Sequence, residues 1–546
     1  MTTALATRTA ILRRGERILP QYSRVEYLAW WRWAKVFAGV MLVGLAIFTG
    51  LFITAGGTQA IGMVGTPIAI MAGLCLWLLP DVHRPANPPF YKLMVAYIVL
   101  LAAWPGYVAI ALPGLPWITP ARFVLGLLLV VVALQMAQFP EVRQRIRDTL
   151  LYDRVAVWLY GGFWLTSFVA LPFAPSPSAA LSYGIMQEVL ALSPAIALAW
   201  VLSKDIERLP KVLLMLSLCC ILTMVIAVVE NIMQQPPWMN YIPSFMMVDQ
   251  ELLTSYTSTQ ARTGDPRYRI RSTFGIVLYY SQYLCILFPV LINNMRHMKG
   301  WGRFVLLPLL TVLILHTVWY ANARTASLAL LLALFGSAGL ILLRSLIYRR
   351  HGDPFKTLFQ TVMLAAIIGV LGVAIASSHR AQMYTIGGDQ HAASNLTRDR
   401  QWDNAWAQVF KNPIGVGLGN SPSFVGTSGR GQQVVDSLFI NMLVDVGPIG
   451  FLCFFGFYIR LTWLGLVTFI RARDELDELA GPMTLGLLGL VISAYVISFS
   501  DNNYLGMMFG VAIFLLHRRQ QQAIDAEALA KAPALVAVPS RALVRR

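Results

Sequence analysis

A chain of 546 residues that is 57% hydrophobic and only 13% charged, with a mean hydropathy of +0.62, excludes an ordinary soluble domain, because soluble chains carry about 25% charged residues. Apolar runs long enough to cross a hydrocarbon core recur along the whole length, so the fold class is all-α: a polytopic transmembrane helical bundle, not a β-barrel, whose strands alternate in short segments. The formal charge of +17 reads as cytoplasmic loop charge and not as a nucleic-acid footprint.

In chain order, residues 1–34 are rich in arginine and lack the short apolar core and cleavage site of a signal peptide, so they read as a cytoplasmic lead-in. Spans are predicted near 35–55, 58–79, 91–112, 120–138, 155–174, 180–202, 211–233, 273–294, 303–321, 324–343, 358–377, 437–460, 482–500 and 502–517, about fourteen in all. They define a transmembrane domain over 35–517 followed by a cytoplasmic tail, 518–546. Loops carrying Arg143, Arg145 and Arg147, then Lys204, Arg208 and Lys211, then Arg344, Arg349 and Arg350, then Arg471 and Arg473 alternate with uncharged loops near 56–57, 113–120 and 175–179. The positive-inside rule then places both termini in the cytoplasm. Cys75, Cys219, Cys220, Cys285 and Cys453 fall inside apolar runs, at spacings that suit neither a zinc site nor a disulfide framework.

Two predicted outside loops, about 234–272 and 378–436, are too long to be simple connections, and loops of that length usually carry function. The first holds Arg262, Arg267, Arg269 and Arg271, and the second Arg380, Arg398, Arg400 and Arg430 with Asp399, Asp403 and Asp436. Solvated loop charge is the plain alternative for any one arginine, since long loops escape the charge rule. Residues 398–410 predict a short helix with Trp402, Trp406, Val409 and Phe410 on one face and Pro413 as its stop. It is either a lid over a cavity or packing without chemistry. Gly415, Gly417 and Gly419 invite a nucleotide-loop reading, which the lack of a preceding strand rejects. They serve either close backbone packing or amides left open to an anion.

Ionisable residues inside predicted spans are few: Glu188, Glu230, His316 and Asp445. Each is costly there and marks either function or a hydrogen-bonded helix contact. Arg324 sits in the short turn Ala321-Asn-Ala-Arg324, pinned at the rim. Arginines, one carboxylate at a helix start and a wall of lipid suit a lipid-linked diphosphate, which guanidinium groups grip in a bidentate fashion. The sequence shows no metal-ligand cluster or cofactor motif, so the arginines are expected to neutralise the charge that Mg²⁺ often neutralises.

The segment 398–450 resembles the signature region of the O-antigen ligase and polymerase superfamily of bacterial polysaccharide assembly. The residues that carry the resemblance are Arg398 and Trp402, then Pro413, Gly415 and Gly417, then the pair Asp436-Ser437, and Gly447 with Gly450. Arg324-Thr-Ala-Ser-Leu328 is similar to the Arg-x3-Leu element of the ligases, and Arg271 in Arg271-Ser-Thr-Phe-Gly275 stands where the family has a further arginine, without the Pro-Asn often seen after it. The resemblance spans about residues 265–460.

It implies an inner-membrane enzyme with periplasmic loops over a membrane-open cavity, transferring glycan from undecaprenyl diphosphate to an acceptor hydroxyl without a metal. Arg271, Arg324 and Asp436 take the catalytic positions, with Arg269, Arg398, Arg400, Trp402, Gly417 and Ser437 binding substrate. Asp436 stands where the ligases have histidine, which favours a polymerase of exopolysaccharide, capsule or O-antigen repeat units over a ligase acting on lipid A core. A chain-length regulator and a flippase are the expected partners. If Asp436 is structural, Glu230, Glu251 or His316 becomes the alternative base. A flippase is the competing class, and it would call for midplane sites, broken helices and internal repeats.

Overall fold

The computed structural model describes residues 88–110, 118–177, 180–246, 268–347, 392–429, 432–498 and 500–531, with scattered positions within 36–41 and 71–86 and at 363 and 377. Residues 1–34, the tail beyond 531, most of the predicted spans near 35–55, 58–79 and 358–377, and Glu251, Arg262, Arg267, Arg380 and Arg430 lie outside the described residues. The chain divides into two compact units, Met1–Ala86 with Ala133–Pro140, and Asn87–Val132 with Glu141–Arg546. Within the first, the Val82 amide donates to the Gln138 carbonyl at 2.7 Å. The second holds the rest of the described fold.

Its helices are α1 Phe90–Ala103, α2 Pro120–Gln138 (which runs on into the first unit), α3 Pro140–Leu150, α4 Arg154–Ala170, α5 Met186–Lys204, α6 Leu209–Met233, α7 Val277–Arg296, α8 Gly302–Ala321, α9 Arg324–Leu331 and α10 Ser337–Ile347. There follow α11 Ala392–Lys411, α12 Ser421–Val425, a small antiparallel hairpin of β1 Thr427–Gly429 and β2 Gln432–Val434, then α13 Leu438–Asp445, α14 Gly447–Ile470, α15 Glu475–Glu478, α16 Ala480–Ser493 and α17 Asn503–Lys531. A π-helical turn, Leu332–Gly336, joins α9 to α10 in one rod. The fold is a helical bundle, as the composition predicts.

Seven helices among the described residues are long and apolar enough to cross a membrane: Pro120–Gln138, Arg154–Phe173, Ile206–Met233, Gly302–Ala321, Arg324–Ile347, Gly447–Ile470 and Glu475–Ser493. The predicted span near 91–112 is only the 14-residue α1, about 21 Å of helix, after which the chain turns at Trp104. Those near 180–202, 273–294 and 502–517 are helices that mix polar residues into the apolar run, and α17 continues to Lys531 instead of stopping at 517. The predicted span 437–460 is two helices, broken at Val446–Gly447.

α7 is the centre. Every residue from Tyr280 to Leu291 is buried, the mark of a helix enclosed by others. α16 approaches it through Gly486 and Gly489, where a Cβ would stand 2.6 Å from the carbonyl oxygens of Ile286 and Cys285; small residues are what let helix backbones close in this way. α14 packs on α4 through aromatic pairs, Phe163–Phe454 and Tyr160–Phe457, both at 5.0 Å between centroids. Charge gathers at the end of the bundle where α10 stops. There Arg344 bonds Glu478 at 2.6 Å, Arg519 reaches Asp474 and Asp477, and Arg460 pairs with Asp153 at 2.7 Å. Arg324 begins the same rod twenty residues earlier, about 30 Å away along its axis.

Candidate functional site

Glu230 builds the first part of the site. It is fully buried one turn before α6 ends, and it folds the segment Tyr268–Thr273 around itself. Tyr268 Oη donates to its Oε1 at 2.7 Å, and the amides of Arg271 and Ser272 donate to its Oε2 at 3.1 and 2.7 Å. Ser272 is left-handed, φ +54°, and its hydroxyl donates to the Thr223 carbonyl. Thr273 reaches across to the Ala102 carbonyl at 2.8 Å. The Arg271 guanidinium lies in this core, 2% exposed, with Nε 3.8 Å from Glu230 Oε1. Glu230 is thus a keystone for the Arg271 segment.

That segment in turn lies against the α8–α9 corner. Ile270 N donates to the Tyr320 carbonyl at 3.2 Å, and Arg269 Nε reaches the Ala321 carbonyl at 3.4 Å. Asn322 takes a left-handed conformation, φ +46°, Ala323 extends, and Arg324 opens α9. The corner leaves Arg324 half-buried at the mouth of its helix.

α11 brings Arg398 to the same place. Its charge acts on Arg324 and on Asp436, and its Nε is buried without a hydrogen-bond acceptor among the described residues. Gln401 Nε2 donates to the Val434 carbonyl at 3.0 Å, tying α11 to the strand that leads into Asp436. Burial pushes the Asp436 carboxyl above the ordinary carboxylate range, and Arg398 pulls it part of the way back. Arg324, Arg398 and Asp436 therefore form one electrostatic group of two cations and a carboxylate.

The other predicted residues stand around that group in different roles. Ser437 is fully buried; its hydroxyl is 3.5 Å from the Ala494 carbonyl, which also accepts the Leu438 amide, so the pair anchors α13 to the end of α16. Arg400 is exposed on the far side of α11. Trp402 is half-buried and stacks on Tyr495 at 6.1 Å. The predicted face of α11 is corrected: the helix begins at Ala392, and its packed face is Gln401, Trp402, Ala405 and Val409, while Trp406 and Phe410 are exposed. A four-residue step, 401, 405 and 409, sets that face, and Trp406 and Phe410 fall outside it. Arg271 lies against Glu230 and braces the adjoining segment.

The glycine motif is a clamp. Val416 and Gly417 donate their amides to the carbonyls of Val444 and Asp445, at 3.1 and 2.9 Å. The Asp445 carboxylate accepts the amides of Gly419 at 2.8 Å and Ser421 at 2.7 Å. Of the glycine amides predicted as open to an anion, that of Gly419 is taken by the Asp445 carboxylate, and those of Gly415 and Gly417 by the carbonyls of Asn412 and Asp445. Gly415 and Gly447 have φ of +102° and +72°, and a Cβ on Gly447 would stand 2.2 Å from the Pro413 carbonyl oxygen, so the same contact breaks the predicted span 437–460. Asp445 was visible in the sequence only as a carboxylate inside an apolar run. Asp445→Ala should leave the Gly419 and Ser421 amides without their acceptor, at about 1–3 kcal/mol for the buried Ser421 amide; the check is a fall in melting temperature in detergent that Asp445→Asn, which keeps one acceptor, shows less.

No curated protein matches the chain. Residues 309–455 match the family model described as O-Antigen ligase, a stretch that holds Arg324, Arg398, Trp402, the glycine clamp, Asp436 and the α13–α14 break. Over those residues the chain is similar to the O-antigen ligase family.

Proposed function

We propose that this protein is a polysaccharide polymerase of the inner membrane, joining oligosaccharide repeat units carried on undecaprenyl diphosphate at the periplasmic face. The observation that carries the reading is the Arg324–Arg398–Asp436 group. Two guanidinium groups within reach of each other repel, and an anion held between them relieves the repulsion. The buried Nε of Arg398 is a donor still to be satisfied, and a diphosphate oxygen satisfies it with a charge-assisted bond.

In the reaction an acceptor hydroxyl attacks the anomeric carbon of the donor sugar. The bond from that carbon to the diphosphate breaks, and the diphosphate leaves with the electron pair, its growing charge held by Arg324 and Arg398. The hydroxyl proton passes to Asp436, whose burial makes it a stronger base than an exposed aspartate. Arg271 keeps the neighbouring segment in place. A chain-length regulator and a flippase supplying the lipid-linked unit are the partners this role calls for.

The test is purified protein in proteoliposomes with lipid-linked repeat units. A ladder of polymer together with free undecaprenyl diphosphate supports the reading. Units that cross the bilayer without joining would make the protein a flippase. Ligase-type transfer is the second reading, favoured by the description of the matched family; it shows as a single transfer to lipid A core with no ladder.

The periplasmic placement has its own check. In a cysteine-free background, Arg400→Cys, exposed on α11, should react with an impermeant thiol reagent added outside intact spheroplasts, and Arg473→Cys, beside α15, should react only after lysis. The reverse pattern turns the site to the cytoplasm and removes the proposed mechanism.

A further inference from the structure

A cavity of about 230 Å³ lies beside the proposed reaction group. Val434, Val435 and Leu438, the residues flanking Asp436-Ser437, form one of its walls, and Glu188 of α5 lines another. Glu188 is 5% exposed, and its carboxyl makes no hydrogen bond among the described residues. A carboxylate so deeply buried is costly unless donors meet it, and the described residues supply none. The other buried carboxylates nearby differ. Asp445 is saturated by the amides of Gly419 and Ser421, and Glu230 by Tyr268, Arg271 and Ser272.

The rest of the lining is polar in a particular way. Asn441 accepts the Ser421 hydroxyl at 3.0 Å on its carbonyl oxygen, leaving its NH₂ to donate. Tyr279 and Ser498 line the same space. The approach to Glu188 is a π-helical turn, Ala180–Ile185, in which Gly184 sits so close to Leu418 that a Cβ would stand 2.2 Å from the Leu418 Cβ. Such turns are rare and gather at functional sites. Here the turn sets Glu188 against the glycine clamp.

We propose that this cavity is the acceptor-sugar subsite, in which Glu188 accepts hydrogen bonds from the hydroxyls of the terminal sugar of the acceptor chain and so orients it toward Asp436. The inference rests on the polymerase reading and deepens it. A sugar offers adjacent hydroxyl donors to a carboxylate and acceptor oxygens to an amide NH₂, and the volume suits about one ring. Glu188 is a positioning residue in this account, acting on the acceptor and not on the diphosphate.

The experiment uses the full chain in detergent and the free repeat-unit oligosaccharide, released from the native lipid-linked donor by mild acid. Binding is followed by calorimetry, and turnover in proteoliposomes gives separate KM values for acceptor and lipid-linked donor. Glu188→Gln should weaken oligosaccharide binding at least tenfold and raise the acceptor KM similarly, with the donor KM within twofold of wild type. Ser498→Phe, which fills the cavity from another wall, should do the same, and covers the case in which Glu188→Gln folds poorly. An oligosaccharide Kd within twofold of wild type in both variants overturns the inference, as does a wild-type protein that polymerises without binding the oligosaccharide. Glu188-dependent binding by a wild-type protein that never joins units upholds the subsite and overturns the polymerase reading instead.

Discussion

Asp436→Asn should insert and fold like the wild type and lose polymer formation by about 10²-fold or more, the usual size of a lost general base. The carboxylate is not a helix cap: Ser437 holds the N-cap position of α13, and no side chain caps that helix. Its removal therefore costs chemistry and little stability. Asp436→His should retain part of the activity, since an imidazole at the same place can take the proton.

The pH profile gives an independent reading. Only the ionised carboxylate accepts a proton, so activity is present above the Asp436 pKa and lost as pH falls through it. Burial has raised that pKa and Arg398 opposes the rise, so the acid limb lies above the ordinary aspartate range, about 3.9. Arg398→Gln removes the opposing cation and should move the limb of the residual activity to still higher pH. Normal polymer from Asp436→Asn at all pH values would make the carboxylate structural and return the search to Glu230 or His316. Glu230 is poorly placed for that role, because both of its oxygens are already bonded.

The contrast between legible and illegible parts of this chain follows from the range of the forces involved. Helices whose apolar character is continuous, such as α6, α8 and α14, are visible in sequence because a hydrocarbon core demands a long run whatever packs around it. α7 is harder to read. It carries Gln282, Asn293 and Asn294, which its neighbours shelter, and those neighbours come from far along the chain. The break at Gly447 was hidden for the same reason: it depends on the Pro413 carbonyl thirty-four residues away, not on local propensity.

At the site, the order and spacing of motifs pointed to Arg324, Arg398 and Asp436, and the fold groups these three. Motif spacing could not show which way a side chain turns. Arg271 faces Glu230 in the core, Ser437 faces Ala494, and Arg400 faces outward. Pairing decides those directions, and the partners are distant in sequence.

That difference separates two arginines that look alike in sequence. Arg398→Lys keeps a charge beside Arg324 and Asp436 but loses the planar fork that meets two phosphate oxygens at once. We expect polymer formation to fall by about 10²-fold, the scale of one lost transition-state donor, while the melting temperature in detergent stays at the wild-type value, since the Arg398 Nε has no acceptor in the described protein to lose. The acid limb should also stay where it is, because lysine still acts on Asp436 as a cation. Arg271→Met should behave in the opposite way. Glu230 would keep its bonds from Tyr268 and two amides but lose its buried cation, and breaking a buried pair costs about 3–5 kcal/mol. The melting temperature and the amount of folded protein should fall, and the activity that survives per folded molecule should fall far less than in Arg398→Lys. Thermal denaturation of both variants, set against polymer formed per folded molecule, decides the matter. If Arg271→Met is as stable as wild type and inactive, the direct grip on the diphosphate belongs to Arg271; if Arg398→Lys makes normal polymer, it does not belong to Arg398.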